Sequence, residues 1–146
     1  MALERGSSFT SEHLGVLQGF VNGLSEEGIA RQMGVGVEQI QIFMRQIGHD
    51  TNEPYSRRGI SLAIFQGVLE GSIRTDRLPD TPIENLNEDD IKVWARLIQG
   101  LSNTEISGLG FNSTRGDVIR KLGVGTNARA VALGAREIKR KLNGKK

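Results

Sequence analysis

The feature that most constrains the fold of this chain is an internal repeat. Residues 9–29 align with residues 86–106 at a constant offset of 77, where about one or two identities would be expected by chance. Five positions are identical: Val16 and Val93, Gly23 and Gly100, Leu24 and Leu101, Ser25 and Ser102, and Ile29 and Ile106. A chain that repeats its own pattern in this way is expected to contain two similar supersecondary units.

A second pair of matching stretches sets the limits of the two units. Residues 55–62 align with residues 126–133 at an offset of 71, which places Arg58 over Arg129. We therefore predict an N-terminal module at residues 8–71, a linker at 72–85 and a C-terminal module at 86–146. The linker contains Pro79 and Pro82, and because proline lacks a backbone N–H and disfavours helix at the preceding residue, it is predicted to be extended or to form turns.

Composition excludes several classes of function. The 146 residues include no cysteine and two histidines, His13 and His49, which excludes disulfide frameworks, cysteine zinc sites and thiol catalysis. The histidines share no catalytic motif, and His13 is expected on a helix surface, so we expect neither an enzyme nor a cofactor or metal. No secretory signal and no apolar run of membrane-spanning length is found, so a cytoplasmic protein without a membrane partner is expected.

The two modules differ in charge. Residues 1–71 carry five basic and eight acidic groups, a net charge of −3, whereas residues 86–146 carry twelve basic and six acidic groups, a net charge of +6. This asymmetry favours a polyanionic partner for the C-terminal module. A solvated basic surface would give the same count, so charge alone leaves that alternative open.

Hydrophobic periodicity predicts four helices in each module and an all-α fold. Apolar residues recur at helical spacing through residues 14–24 and 91–101, and Gly23 and Gly100 are expected to end these first helices in the left-handed conformation. The other helices are predicted at about residues 25–34, 37–47 and 56–70, and at 102–110, 114–122 and 127–142. No segment alternates with the period of two that a strand requires.

The second and third helices of each module are predicted to form a helix-turn-helix pair, in which the later helix enters the major groove of DNA. In the C-terminal module both begin with a capping box, Ser102 with Glu105 and Thr114 with Asp117. Arginine suits guanine edges, and polar groups at a helix start suit phosphate. The candidate DNA contacts of this module are Ser102, Asn103, Thr104, Thr114, Arg115, Arg120, Lys121 and Arg129.

The N-terminal module has two interpretations. Its third and fourth helices supply the candidate DNA contacts Gln39, Gln41, Arg45, Arg57 and Arg58, since glutamine can read adenine and arginine guanine or phosphate. Ile42, Phe43 and Met44, however, place more apolar side chains together than one buried stripe requires. Phe43 and Met44 are expected in the core, and the surplus, with the net charge of −3, leaves open a protein-docking face.

Several short motifs are those of a known regulator family. Residues 86–93 (LNEDDIKV) are similar to LTxRExEV, residues 100–106 (GLSNTEI) to GxSNKEIA, residues 120–124 (RKLGV) to RKLGV, and residues 127–132 (NARAVA) to NRxxAV. The N-terminal module retains GLSEEGIARQMGV at 23–35 and SRRGI at 56–60. Both modules therefore resemble the LuxR/GerE-type helix-turn-helix domain of bacterial transcription regulators.

This resemblance implies four-helix modules that bind double-stranded DNA, often as dimers, in transcription control. The segment between Ile106 and Arg120 is shorter than in the family, which predicts a short or merged groove helix, and the family's receiver or ligand-binding domain is missing. We expect a sequence-specific DNA-binding regulator whose C-terminal module supplies most of the affinity. The alternative is an adaptor whose N-terminal module docks RNA polymerase or another regulator, and a homodimer is left open.

Overall fold

The computed structural model describes residues 10–50, 56–80 and 83–144, and these form eight α-helices. The first four are α1 (Ser11–Val21), α2 (Glu26–Met33), α3 (Val37–Asp50) and α4 (Ser56–Glu70). The second four are α5 (Glu88–Ile98), α6 (Asn103–Ser107), α7 (Arg115–Leu122) and α8 (Asn127–Gly144), preceded by a 3₁₀ turn at Ile83–Asn85. No strand occurs within the described ranges, which confirms the all-α class.

Capping side chains begin several of the helices, and glycines in the left-handed conformation follow their ends. The predicted capping boxes are present at the start of α6, where Ser102 pairs with Glu105, and of α7, where Thr114 pairs with Asp117. Two further boxes, which the sequence analysis did not identify, begin α1 with Thr10 and His13 and α5 with Asn87 and Asp90. Gly23 and Gly100 follow α1 and α5 with φ of 93° and 87°, as predicted.

Helix α6 is shorter than the sequence predicts. It ends at Ser107 and is capped by Gly108, whereas the prediction extended it to Gly110. Glycine costs about 1 kcal/mol inside a helix, and Gly110 takes a left-handed φ of 78°. Residues 108–114 therefore form a seven-residue connection from α6 to α7, while residues 34–36 alone join α2 to α3.

One hydrophobic core includes helices of both halves. Leu17, Ile47 and Ile64 from the first half and Val93 and Leu133 from the second belong to the same buried cluster. Helix α4 packs against α8, and the Trp94 Nε1 of α5 donates a hydrogen bond of 2.9 Å to the carbonyl of Ala130 in α8. A smaller cluster joins α1, α2 and α3. The halves are therefore packed on each other.

The segment between the halves also contributes to this packing. Ile73 and Leu78 are buried in the shared core. The guanidinium of Arg136 on α8 donates to the carbonyls of Thr75 and Pro79. Residues 71–80 are thus fixed along α8 by buried apolar side chains and by hydrogen bonds to main-chain carbonyls.

Candidate nucleic-acid interface

Helices α2 and α3 form a short-turned helix pair. The Ser25 Oγ accepts a hydrogen bond of 3.1 Å from the backbone N–H of Gly28 at the start of α2. The pair turns at Gly34, whose φ of 74° is a conformation that glycine adopts at little cost. Ile29 of α2 and Ile40 of α3 are fully buried in one cluster, which fixes the two helices against each other.

The outer face of α3 is polar with one apolar side chain. Gln41, Arg45 and Gln46 are exposed, as is Ile42, while Gln39 is half-buried. The Gln41 Nε2 lies 3.4 Å from the Glu26 carboxylate of α2. The Gln41 amide and the Arg45 guanidinium are therefore accessible from solvent, while the Gln46 Oε1 lies within hydrogen-bond distance of α1.

The expected core positions of α3 are confirmed. Phe43 and Met44 are half-buried and pack against the smaller cluster. Ile42 keeps 37% of its surface exposed and lines a shallow groove together with Phe43 and Arg45. The apolar surplus that the sequence shows is thus mostly core, with Ile42 at its edge.

The prediction that His13 lies on a helix surface is wrong. Its side chain is 6% exposed, and its ring packs edge-on against Phe43 with centroids 5.7 Å apart. The His13 Nδ1 lies 3.4 Å from the Thr10 N–H and its Nε2 2.8 Å from the Gln46 Oε1 of α3. His13 is buried because it lies on the inner face of α1, three and four positions before the fully buried Val16 and Leu17.

Helices α6 and α7 occupy the corresponding positions in the second half, joined by residues 108–114. Val118 and Leu122 of α7 are buried, while Thr104 and Thr114 are exposed at the starts of α6 and α7. Ser102 is half-buried, and its Oγ accepts a hydrogen bond of 3.2 Å from the Glu105 N–H. The predicted hydroxyl groups therefore cap these helices.

The basic candidates of this half differ in their availability. The Arg120 side chain is 71% exposed, although it lies 3.1 Å from the Asp117 carboxylate. Arg115 is half-buried, and its Nη1 donates to the Asn127 Oδ1 at 3.0 Å. Lys121 donates to Asp90 at 2.7 Å. Arg120 is the most accessible of these three.

Arg129 is bound by main-chain carbonyls. Its guanidinium donates to the carbonyls of Val21, Val124 and Arg77 at 3.2, 3.0 and 2.9 Å. These acceptors lie in α1, after α7 and in the segment between the halves. The guanidinium thus joins three parts of the chain and has little capacity left for phosphate.

The partner of Lys121 is a fully buried carboxylate. Asp90 accepts hydrogen bonds from the Lys121 Nζ, the Ser113 Oγ and the Asn87 N–H. Burial alone would raise the pKa of Asp90. The hydrogen bonds from Lys121, Ser113 and Asn87, with the positive charge of Lys121, outweigh it and hold that pKa below its usual range. Asp90 therefore fixes α7 and the loop before it to α5.

Arg58 of α4 reaches the second half. Its guanidinium pairs with the Glu105 carboxylate of α6 at 3.1 Å. The pKa of Glu105 is lowered, mainly because its carboxylate accepts a hydrogen bond from the Ser102 N–H and further because it pairs with Arg58. The side chains of Arg57 and Asn103 lie outside the described residues.

The structure thus places the predicted residues in two groups. Gln41 and Arg45 on α3, and Thr104, Thr114 and Arg120 on α6 and α7, are exposed. The remaining described candidates are half-buried, and most of them are held by contacts inside the chain: Gln39, Arg58, Ser102, Arg115, Lys121 and Arg129. Sequence reasoning missed the buried contacts of His13 and Asp90. The sequence does contain a signal for these contacts. His13 and Asp90 align at the offset of 77, and each lies three residues after the N-cap of its helix.

The described ranges contain neither a membrane-spanning helix nor a cluster of metal ligands. No helix there is long and apolar enough to cross a membrane, and no group of three or more histidine, cysteine or acidic side chains could hold a metal ion. No family model, no curated protein and no solved structure matches the chain. The LuxR/GerE resemblance stays a prediction that rests on the sequence motifs.

Proposed function

We propose that this chain binds double-stranded DNA through two helix-turn-helix units, α2–α3 and α6–α7, and acts as a transcription regulator. The observation that carries the proposal is the α2–α3 pair, a short turn at a left-handed glycine between two helices that share a buried cluster. Its later helix presents Gln41 and Arg45 to solvent. Amide and guanidinium groups on such a helix suit base edges in the major groove.

The electrostatic part of the proposal needs a narrower set of residues than the sequence suggests. The twelve basic groups of residues 86–146 include Lys121, which is paired with buried Asp90, and Arg129, which is bound by carbonyls. The accessible cations of the two later helices are Arg45 and Arg120. Each unit therefore contributes at least one arginine to the proposed interface.

The test is a fluorescence-anisotropy titration with random-sequence duplex at several salt concentrations. Binding to phosphates should weaken steeply as salt increases. Arg120→Ala and Arg45→Ala should each weaken binding and lower the salt slope by about 1. Lys121 is left unchanged, because its removal would leave the Asp90 carboxylate without its cationic partner.

Arg74→Ala is the matched control, since Arg74 is exposed and lies outside both helix pairs. It removes the same charge and should leave the salt slope unchanged. An equal effect of all three substitutions would contradict the proposed interface. No duplex binding at low salt would refute the function and favour the adaptor alternative, for which exposed Ile42 and its groove are the starting point.

A further inference from the structure

We propose that an internal two-fold axis relates the two units, so that one chain binds one duplex with its units facing opposite directions along the DNA. The inference rests on the proposed function and specifies its target: two half-sites in inverted orientation, bound by a single chain. A two-fold arrangement has reciprocal contacts, in which one surface meets its own equivalent. A head-to-tail arrangement joins two different surfaces.

Equivalent helices of the two halves exchange contacts. Helices α4 and α8 occupy the same place in the repeat, and they pack against each other. Helix α4 also contacts α5, the first helix of the other half, and α8 contacts α1, the equivalent of α5. The contact between α4 and α5 is therefore matched by an equivalent contact between α8 and α1, as a two-fold arrangement requires.

The same exchange holds for individual residues. Arg129 at the start of α8 donates to the carbonyl of Val21, and a Cβ at Gly23 would lie 3.7 Å from its Cδ. Arg58, its equivalent on α4, lies against Gly100, where a Cβ would be 2.9 Å from its Cγ. The two equivalent arginines therefore pack on the two equivalent glycine turns, each across the boundary between the halves.

The packing fixes the relation between the units. Their halves share one core, and Arg136 on α8 holds the segment between them through the carbonyls of Thr75 and Pro79. Two modules on a flexible linker would accept many separations of their half-sites. A fixed pair accepts one separation, because each half-site must face its own unit.

The two half-sites will differ in base sequence, so a palindrome is not expected. Helix α3 presents Gln41 and Arg45, whereas α7 presents Arg120. The inverted orientation must therefore be detected by geometry. Because the chain contains no cysteine, a single introduced cysteine can carry a cleavage reagent at a known place.

Glu27 on α2 and Thr104 on α6 are equivalent at the offset of 77, and both are exposed. Glu27→Cys and Thr104→Cys are labelled separately with an iron–EDTA reagent. Each is bound to a duplex that the unmodified chain selected from a randomised library, and hydroxyl-radical cleavage is mapped on both strands. Unlabelled protein on the same duplex gives the background.

We expect the two cleavage centres at equal distances on opposite sides of one base pair, with the strand patterns exchanged. Two patterns displaced along the duplex with the same strand assignment would mean a head-to-tail arrangement and overturn the inference. If both labelled proteins bind the duplex as tightly as the unmodified chain, cleavage from one variant alone would overturn it too, since a single unit would then contact the DNA. Failure to select any duplex would refute the proposed function itself, which distinguishes the two failures.

A second measurement tests the fixed separation. About five base pairs inserted at the centre of the selected site turn one half-site to the opposite face of the duplex. Affinity should fall at least about tenfold, since the contacts of one half-site are lost. Unchanged affinity would contradict a fixed pair of units.

Discussion

The two halves of the molecule fasten their first helix to their third by different chemistry. In the N-terminal half, buried His13 lies 2.8 Å from the Gln46 of α3, an interaction with an uncharged amide. In the C-terminal half the equivalent residue is buried Asp90, which forms an ion pair of 2.7 Å with the Lys121 of α7. The repeat has kept the position, the cap and the burial, while the chemistry of the contact has changed.

This difference changes which cations of the C-terminal half are accessible, although the pair of Asp90 and Lys121 adds nothing to the net charge of that half. An ionised carboxylate with no exposed surface needs a cation and several donors, so Lys121 is required inside the fold. In the N-terminal half the equivalent contact is made to the neutral amide of Gln46. A count of basic residues along the sequence therefore overstates how many cations are available to a polyanion.

The largest effect is expected when the charged contact is broken. Asp90→Ala leaves the Lys121 ammonium and the Ser113 hydroxyl without their carboxylate, and it removes the acceptor of the Asn87 N–H. Loss of one partner of a buried ion pair costs about 3–5 kcal/mol of unfolding free energy. Because the Lys121 side chain that remains is 32% exposed and can be hydrated, we expect a loss near the lower end of that range. Urea denaturation measures it. Asp90→Asn keeps the shape of the side chain and should lose less, and equal losses would mean that the charge is unimportant.

A loss of comparable size is expected at the glycine turns between the halves. Gly100→Ala places a methyl group in a left-handed conformation, at about 1–2 kcal/mol, and against the α4 backbone, with the Cα of Arg58 at 3.1 Å, at about 1–3 kcal/mol more. Gly23→Ala is the matched control, because its nearest neighbour is at 3.7 Å. Equal losses in urea denaturation would argue against the close contact across the boundary.

The contact with the neutral Gln46 amide should contribute less than the ion pair of Asp90 and Lys121. His13→Ala removes the interaction with Gln46 and the edge contact with Phe43, and a loss of about 1–2 kcal/mol is expected for hydrogen bonds of this kind. His13→Gln, which keeps a polar side chain, is the control. The comparison between the halves fails if His13→Ala destabilises the chain as much as Asp90→Ala in the same urea assay.

Mild acid is expected to give the smallest effect. Because folding lowers the pKa of Asp90, its stabilising contribution is complete above the ordinary carboxyl pKa of 3.8 and is lost as the pH falls below it, through the lower pKa of the folded state. Asp90 should therefore cause little loss of unfolding free energy down to about pH 4. Urea denaturation followed by the fluorescence of Trp94 measures this. Asp90→Asn should show a shallower decline below that pH, and an unchanged decline would exclude Asp90 as a cause.

Much of the local structure follows from short-range patterns. Helix starts with a capping box at Ser102 or Thr114 and helix ends at Gly23 or Gly100 depend on residues within one turn, and all four agree with the structure. The end of α6 was missed because two glycines, Gly108 among them, outweigh the apolar pattern. The exposed candidates on α3 and α7 follow from the same periodicity, since the face opposite a buried stripe is left to solvent.

The sequence by itself determined the all-α class, the internal repeat and most helix ends. Periodicity, capping and glycine conformation act between near neighbours, and the repeat is visible by alignment alone. Only the tertiary structure decided which charges remain available. Arg129 is 108 residues from Val21, and Lys121 is 31 from Asp90, and no local pattern shows that such groups will meet. The Arg129 contact depends on how the halves pack and the Lys121 contact on how α7 packs against α5. Burial then requires each polar group to have a partner.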